Sequence, residues 1–274
     1  MKTIDVRMLP KEPIQGHTSK GDQPKWQHDD TWYKADYMGY ETLSEVIISM
    51  LLAKSNAAEF VTYEPVMIES SRKTVGCASP NFRGKNEMLV PLERLHRAYR
   101  GMGLSAAIGK MESAAQRIQY TVQFVEEVTN LQHFGIWLTS LLELDAFFLN
   151  EDRHTNNIAV IRNEDTLEYR LCPIFDNGLS LLSDLNDYPM GSDIYEHIQR
   201  VQAKPFAREF DEQVIAAQEL FGPQLKFTFK KKDVSEAVKT MADVYDSAIL
   251  QRVEDILFEQ MRKYRYLFYE AERV

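Results

Sequence analysis

Leu149-Asn150-Glu151-Asp152-Arg153-His154-Thr155-Asn156-Asn157-Ile158, followed by Ile174-Phe175-Asp176-Asn177-Gly178, is the stretch on which the reading of this chain turns. Its first half supplies an aspartate at 152 and an asparagine at 157; its second supplies an aspartate at 176 beside a glycine. Phosphoryl transfer from a nucleotide uses such a set. One carboxylate orients the attacking hydroxyl, while an Asn and an Asp hold magnesium against the phosphates. Singly the motifs are weak, because polar loops often end in Asn before a strand and Asp-Asn-Gly is a frequent turn. Context adds weight. Phe134 to Leu149 is apolar and helix-length, and Ile158 to Ile161 and Tyr169 to Cys172 read as short strands joined by a turn at Asn163-Glu164-Asp165. Helix, polar loop, hairpin and acidic turn would hold both carboxylates at one end of a rigid unit.

The strings DRHTNNI (152–158) and IFDNG (174–178) resemble the catalytic and metal-binding loops of the HipA-like toxin kinases. The D-R-H-x-x-N form is also similar to the loop of phosphatidylinositol 3- and 4-kinases. Three further stretches resemble HipA-like proteins: Ser19 to Lys25 their phosphate loop, Trp32 to Asp36 their nucleotide-binding strand, and Ser79-Pro80-Asn81-Phe82 a segment of shorter bacterial members. Lys204-Pro205-Phe206 resembles a segment after the metal loop, with no chemical role attached. Two departures are visible. Asn156 stands where many relatives carry Lys, and Asn177 where eukaryotic protein kinases have the Phe of Asp-Phe-Gly; neither removes a ligand. The fifteen or so residues before the phosphate loop are expected to leave no room for the extra N-terminal subdomain of full-length HipA toxins.

The resemblance implies an α+β, two-lobed protein-kinase-like fold, with a small mixed β-sheet N-lobe over 1–80 that binds nucleotide and a mainly helical C-lobe over 81–274 that carries both loops. It implies an ATP- and Mg2+-dependent serine/threonine protein kinase acting on a protein acceptor. It also allows the role of a toxin with an antitoxin partner. Thr18 or Ser19 is the place where such a kinase would phosphorylate itself, and a phosphate there would add about -1.5 to -2 charges beside the nucleotide and switch the enzyme off.

Within that template Asp152 is the expected catalytic base, with a loop cap as its plain structural alternative. Asn157 and Asp176 are the expected magnesium ligands, and Gly178 is expected to let the backbone turn. His154 has two readings, a stabiliser of charge on the transferred phosphate or a brace to a backbone carbonyl. Arg153 reads as structural. Lys34, in a strand among aromatics, is expected on the nucleotide phosphates with Glu45 as its ion-pair partner and Glu41 as the competitor; a solvated strand Lys is the bland alternative. The loop from Thr18 to Lys25 lacks a Gly-x-Gly-x-x-Gly pattern. Ser19, Gly21 and neighbouring amides could still cradle phosphates, with Lys20 or Lys25 adding charge and Gln23 touching the nucleotide.

Composition bounds these expectations. The chain has 274 residues, 44% hydrophobic and 27% charged, the profile of a soluble globular protein with ample core. A net charge of -9 argues against broad capture of nucleic acid. Cys77 and Cys172 read as free thiols of a reducing compartment, no zinc-type spacing occurs, and neither a signal peptide nor a membrane span is apparent. A cytoplasmic location is the expectation.

In chain order the sequence predicts an edge strand at Thr3 to Met8, a polar loop from Lys11 to Asp30, a strand from Thr31 to Asp36 and an amphipathic helix from Glu41 to Lys54. Strands follow near Tyr63 to Glu69 and Thr74 to Ala78. Beyond Pro80 the pattern turns helical, with helices over Pro91 to Arg100, Met111 to Thr129 and Gln132 to Leu149, and an apolar stripe from Ser247 to Glu270 that suits core packing. Leu182 to Val201 would correspond to an activation segment. A kinase for a small molecule or lipid headgroup is the alternative activity, against which the net acidity argues. A nucleotide-binding pseudokinase is a third, disfavoured by the presence of Lys34, Asp152, Asn157 and Asp176 together.

Overall fold

The N-terminal segment folds into a mixed sheet. The structure is a computed structural model that describes residues 1–9 and 23–268. Strands β1 (Lys2–Asp5), β2 (Lys25–His28), β3 (Thr31–Ala35), β4 (Glu64–Glu69) and β5 (Lys73–Pro80) form a five-stranded sheet in the order β1-β4-β5-β3-β2. β1 lies parallel to β4 at the edge, as its weak alternation suggested, and the other pairs are antiparallel. The loop expected from Lys11 to Asp30 is corrected in part: Lys25–His28 is a strand. It turns into β3 through Asp29, whose φ of 51° a short polar residue tolerates.

Helix α1 (Glu41–Leu52) crosses one face of this sheet. It is buried almost all round rather than amphipathic, with only Met50 outward, because its polar residues turn into the protein instead of toward water. Its first turn is closed from outside the helix: Asp36 Oδ1 accepts from the Thr42 amide at 2.7 Å, and Glu41 accepts from the amides of Tyr37, Met38 and Gly39.

Past Pro80 the expected hairpin is present, and a strand that the sequence reading did not include, Glu87–Pro91, joins it as a second correction. Strand β6 (Glu87–Pro91) pairs with β7 (Ala159–Asn163), which pairs with β8 (Tyr169–Leu171), giving a three-stranded antiparallel sheet. The helices are α2 (Leu92–Arg100), α3 (Leu104–Ile108), α4 (Ala114–Thr129), α5 (Phe134–Phe148), α6 (Ile194–Arg200), α7 (Phe210–Phe221), α8 (Lys231–Lys239) and α9 (Ser247–Lys263). Ser113 and Gln116 cap α4 reciprocally, which places its start three residues after the expected one. α5 is nearly all apolar and correspondingly central: α4, α7 and α9 pack on it. The stripe on α9 is core, with Val253, Ile256 and Leu257 fully buried. Both cysteines are free and buried. Among the described residues no helix is long and apolar enough to cross a membrane.

Candidate active site

The last residue of α5 hands the chain to the first loop. Leu149, at φ 57°, ends the helix in the left-handed region, and the Asn150 amide bonds back to the Asp145 carbonyl at 2.8 Å. Arg153, 1% exposed, then ties the loop together. Its Nε lies 2.9 Å from Asp145 Oδ2, its Nη1 donates to the carbonyls of Asn157 and Phe175, and its Nη2 donates to Asn177 Oδ1 at 2.7 Å. One guanidinium thus joins α5, the Asp152–Asn157 loop and the Asp176 turn. Five donors on a planar fork make this possible, and a lysine could not do it. The structural reading of Arg153 holds.

The second loop turns at Asp176, not at Gly178. Asp176 has a φ of 60°, whereas Gly178 is not among the residues with positive φ. Space at 178 is tight: a Cβ there would come 3.3 Å from Glu41 Cβ on α1. The expectation of a glycine-borne turn is therefore corrected, because Asp is one of the few side chains that tolerates the left-handed region.

Asp176 collects the cations. Lys34 Nζ lies 2.7 Å from its Oδ1 and Lys25 Nζ 3.5 Å from its Oδ2. The register of β2 against β3 sets Lys25 directly opposite Lys34, so two like charges share one face and the carboxylate between them offsets their repulsion. Burial by itself would raise the Asp176 carboxyl, but Lys25, Lys34 and Arg153 hold it far below the usual carboxylate range. Burial would correspondingly lower the Lys34 ammonium, yet Asp176 and Glu45 hold it well above its ordinary value.

Glu45 is the partner of Lys34, at 2.7 Å through Oε1, and its Oε2 accepts from the Asn177 amide at 3.0 Å. Glu41 is engaged with the amides that precede α1 and so does not compete. The loop after Gly178 wraps the start of α1: Tyr40 Oη donates to the carbonyls of Leu181 and Leu182, both left-handed, and Ser44 Oγ to that of Ser180.

Asp152 faces this cluster from the first loop. Asn157 Nδ2 donates to its carbonyl at 3.0 Å, and among the described residues Asn157 Oδ1 accepts nothing. His154 Nε2 lies 3.8 Å from Asp152 Oδ2, and neither ring nitrogen of His154 has a hydrogen-bond partner among the described residues, so the brace to a backbone carbonyl is not formed. Lys204 Nζ reaches Asp152 Oδ1 at 3.4 Å. Burial raises the Asp152 carboxyl and Asp176 adds to this, while His154 and Lys204 draw it back. Lys204 is the residue whose role the sequence did not give: the Lys-Pro-Phe string stood out, but nothing local says that it meets a residue 52 positions earlier.

Gln23 lies beside the Asp176 turn, where a Cβ at Gly178 would be 3.8 Å from its Oε1, and its Nε2 is buried without a partner among the described residues. Thr18, Ser19, Lys20 and Gly21 lie outside the described residues. Asp176 and Asn157 offer hard oxygen donors of the kind that magnesium takes, few enough to leave room for phosphates and water. The lysines on Asp176 stand where cationic charge would be wanted, so the residues present fit a magnesium nucleotide.

No protein-family model and no curated protein matches the sequence. Solved structures do. The fold is similar to that of the Helicobacter pylori proinflammatory kinase CtkA, with a TM-score of 0.62 and 16% identity over 95% of this chain and 94% of that one. HipA of Shewanella oneidensis MR-1, solved with HipB and its operator DNA, aligns with a TM-score of 0.49 and 12% identity over 93% of this chain and 67% of that one. The chain therefore has the two-lobed, kinase-like α+β fold that its two loops led one to expect.

Proposed function

We propose that the protein is an ATP- and magnesium-dependent kinase that phosphorylates serine or threonine in a protein. The observation that carries this reading is the convergence of Lys34 and Lys25 on Asp176, with Glu45 holding Lys34, in a unit that Arg153 joins to the loop of Asp152 and Asn157. The nucleotide sits between the segment 1–80 and the segment 81–274. Lys34, Lys25 and Gln23 orient its phosphates, and the resemblance of the 19–25 string assigns Ser19, Lys20 and Gly21 to them as well. Asp176 and Asn157 Oδ1 would hold magnesium, which when bound would offset the charge of the phosphates. Asp152 aims the acceptor hydroxyl at the γ-phosphorus and takes its proton, a task suited to a carboxyl raised by burial. His154, whose ring nitrogens have no hydrogen-bond partner among the described residues, stabilises charge on the transferred group.

A toxin's role, an antitoxin partner and self-phosphorylation at Thr18 or Ser19 rest on the resemblance of the loops. Incubation with ATP labelled at the γ-phosphate, magnesium and a cell lysate tests the reading. Label on protein serine or threonine supports it. Label only in lipid or small molecules replaces the acceptor class, and no transfer at all overturns the activity. Mass spectrometry of the enzyme itself reads whether Thr18 or Ser19 becomes modified.

A further inference from the structure

Among the described residues one lysine pairs with Asp152, and it comes from outside the loop. The segment 152–157 offers only Arg153, whose guanidinium is spent on Asp145 and loop oxygens, and His154. The cation on Asp152 Oδ1 is Lys204, in the connection between α6 and α7. That connection is anchored. Phe206 is fully buried, its carbonyl accepts from Arg117 Nη1 at 2.8 Å, and the Ala203 amide donates to the Arg208 carbonyl at 2.8 Å. The Lys204 side chain keeps 32% of its surface exposed and meets Asp152 at 3.4 Å, a looser contact than the 2.7 Å of Lys34 on Asp176.

We infer that Lys204 supplies the cation for the transferring phosphoryl group on the Asp152 side of the site, opposite the one that Lys34 and Lys25 supply on the Asp176 side. The inference rests on the proposed kinase reading. In the transfer the acceptor oxygen forms a bond to the γ-phosphorus as the bond to the β,γ-bridging oxygen breaks. The electron pair leaves with ADP and the hydroxyl proton goes to Asp152. An ammonium 3.4 Å from the base can reach a γ-phosphate oxygen without leaving the carboxylate's neighbourhood. There it offsets charge that an aspartate alone would repel. A lysine that merely neutralised Asp152 would be indifferent to the γ-phosphate.

The test is the binding of a non-hydrolysable ATP analogue and of ADP, both with magnesium, to the wild-type protein, Lys204→Met and Lys204→Arg, together with kcat and KM. A charge-assisted contact to the γ-phosphate is worth about tenfold in affinity or more. The expected result is that Lys204→Met loses about that factor for the analogue and little for ADP, with kcat falling about a hundredfold. Lys204→Arg should recover most of both. Equal losses for analogue and ADP, or an unchanged ratio with reduced kcat, overturn the phosphate contact while leaving the kinase reading in place. A wild-type protein that binds neither nucleotide overturns both. Thermal melting of each variant separates loss of fold from loss of contact, and if Lys204→Met is unfolded, Lys204→Gln at the same position gives the same reading.

Discussion

Lys34 and Glu45 form a buried ion pair at 2.7 Å, and the second oxygen of Glu45 holds the backbone of Asn177 at 3.0 Å. The pair therefore fixes the distance between β3, α1 and the Asp176 turn, and does more than balance charge. Removing the ammonium with Lys34→Met should lower kcat/KM by about a hundredfold or more, because it takes away a cation aimed at the phosphates. Glu45→Gln leaves Lys34 bound to Asp176 and should cost about tenfold. Glu41→Gln should instead lower stability by about 1–3 kcal/mol, since Glu41 accepts from three amides, and leave kcat within about threefold. A silent Glu45→Gln beside an inactive Glu41→Gln would reverse these assignments.

Asp176 combines a left-handed backbone with a carboxylate between lysines, and substitutions separate the two. Asn tolerates φ 60° as Asp does, so Asp176→Asn should remain folded. Asp176→Ala adds the strain of a side chain that avoids that region, about 1 kcal/mol more. Thermal or denaturant melts of the two variants measure the difference. Equal stability would mean that the turn relaxes to a negative φ.

Gly178 lies where α1 passes the Asp176 turn, a Cβ at 178 coming 3.3 Å from Glu41 Cβ. Gly178→Ala should push Glu41 and the start of α1 away from the turn, with a loss of about 1–3 kcal/mol. Denaturant unfolding reads it. A change below a few tenths would show that the loop can yield by that distance.

Asp36 supplies a pH dependence. Burial, with the charge of Glu41 next, pushes its carboxyl up to about 7, while hydrogen bonds from Tyr245 and Thr42 oppose this. An unfolded Asp titrates near 4, so the folded state holds the proton more tightly. The stability this provides is fully present below about pH 4 and is lost as pH rises through about 7, by about 2–4 kcal/mol. Asp36→Asn keeps an acceptor for the Thr42 amide and does not ionise. The wild-type protein should therefore lose melting temperature between pH 5 and pH 8 relative to Asp36→Asn; parallel curves would show that Asp36 does not titrate in this range.

The helix, the two loops and the strand bearing Lys34 could be read from sequence because each is encoded in a contiguous string with its own periodicity. Where several elements meet, the sequence was silent. β2 hides in a polar stretch as four residues with one buried aromatic, Trp26, and β6 is five residues ending in a proline that also opens α2. α1 reads as amphipathic from the helical spacing of Leu43, Val46, Ile47, Met50 and Leu51, but Glu41, Thr42, Ser44, Glu45 and Ser49 are buried too, and Ser44 and Glu45 bind the loop around and after Asp176. The turn was assigned to Gly178 on the general preference of glycine, which Asp176 overrode locally. Lys204 needed the tertiary fold to bring it to Asp152.

The most direct test of the site is single-turnover transfer from ATP labelled at the γ-phosphate, with magnesium or with a chelator, by the wild-type protein and by folded Asp152→Asn and Asp176→Asn. Transfer should require magnesium and fall on the order of a thousandfold or more in each variant, the loss expected for the base or the main metal ligand. Transfer that persists in chelator, or that stays within about threefold of wild type in either variant, would contradict the assignment of Asp152 and Asp176.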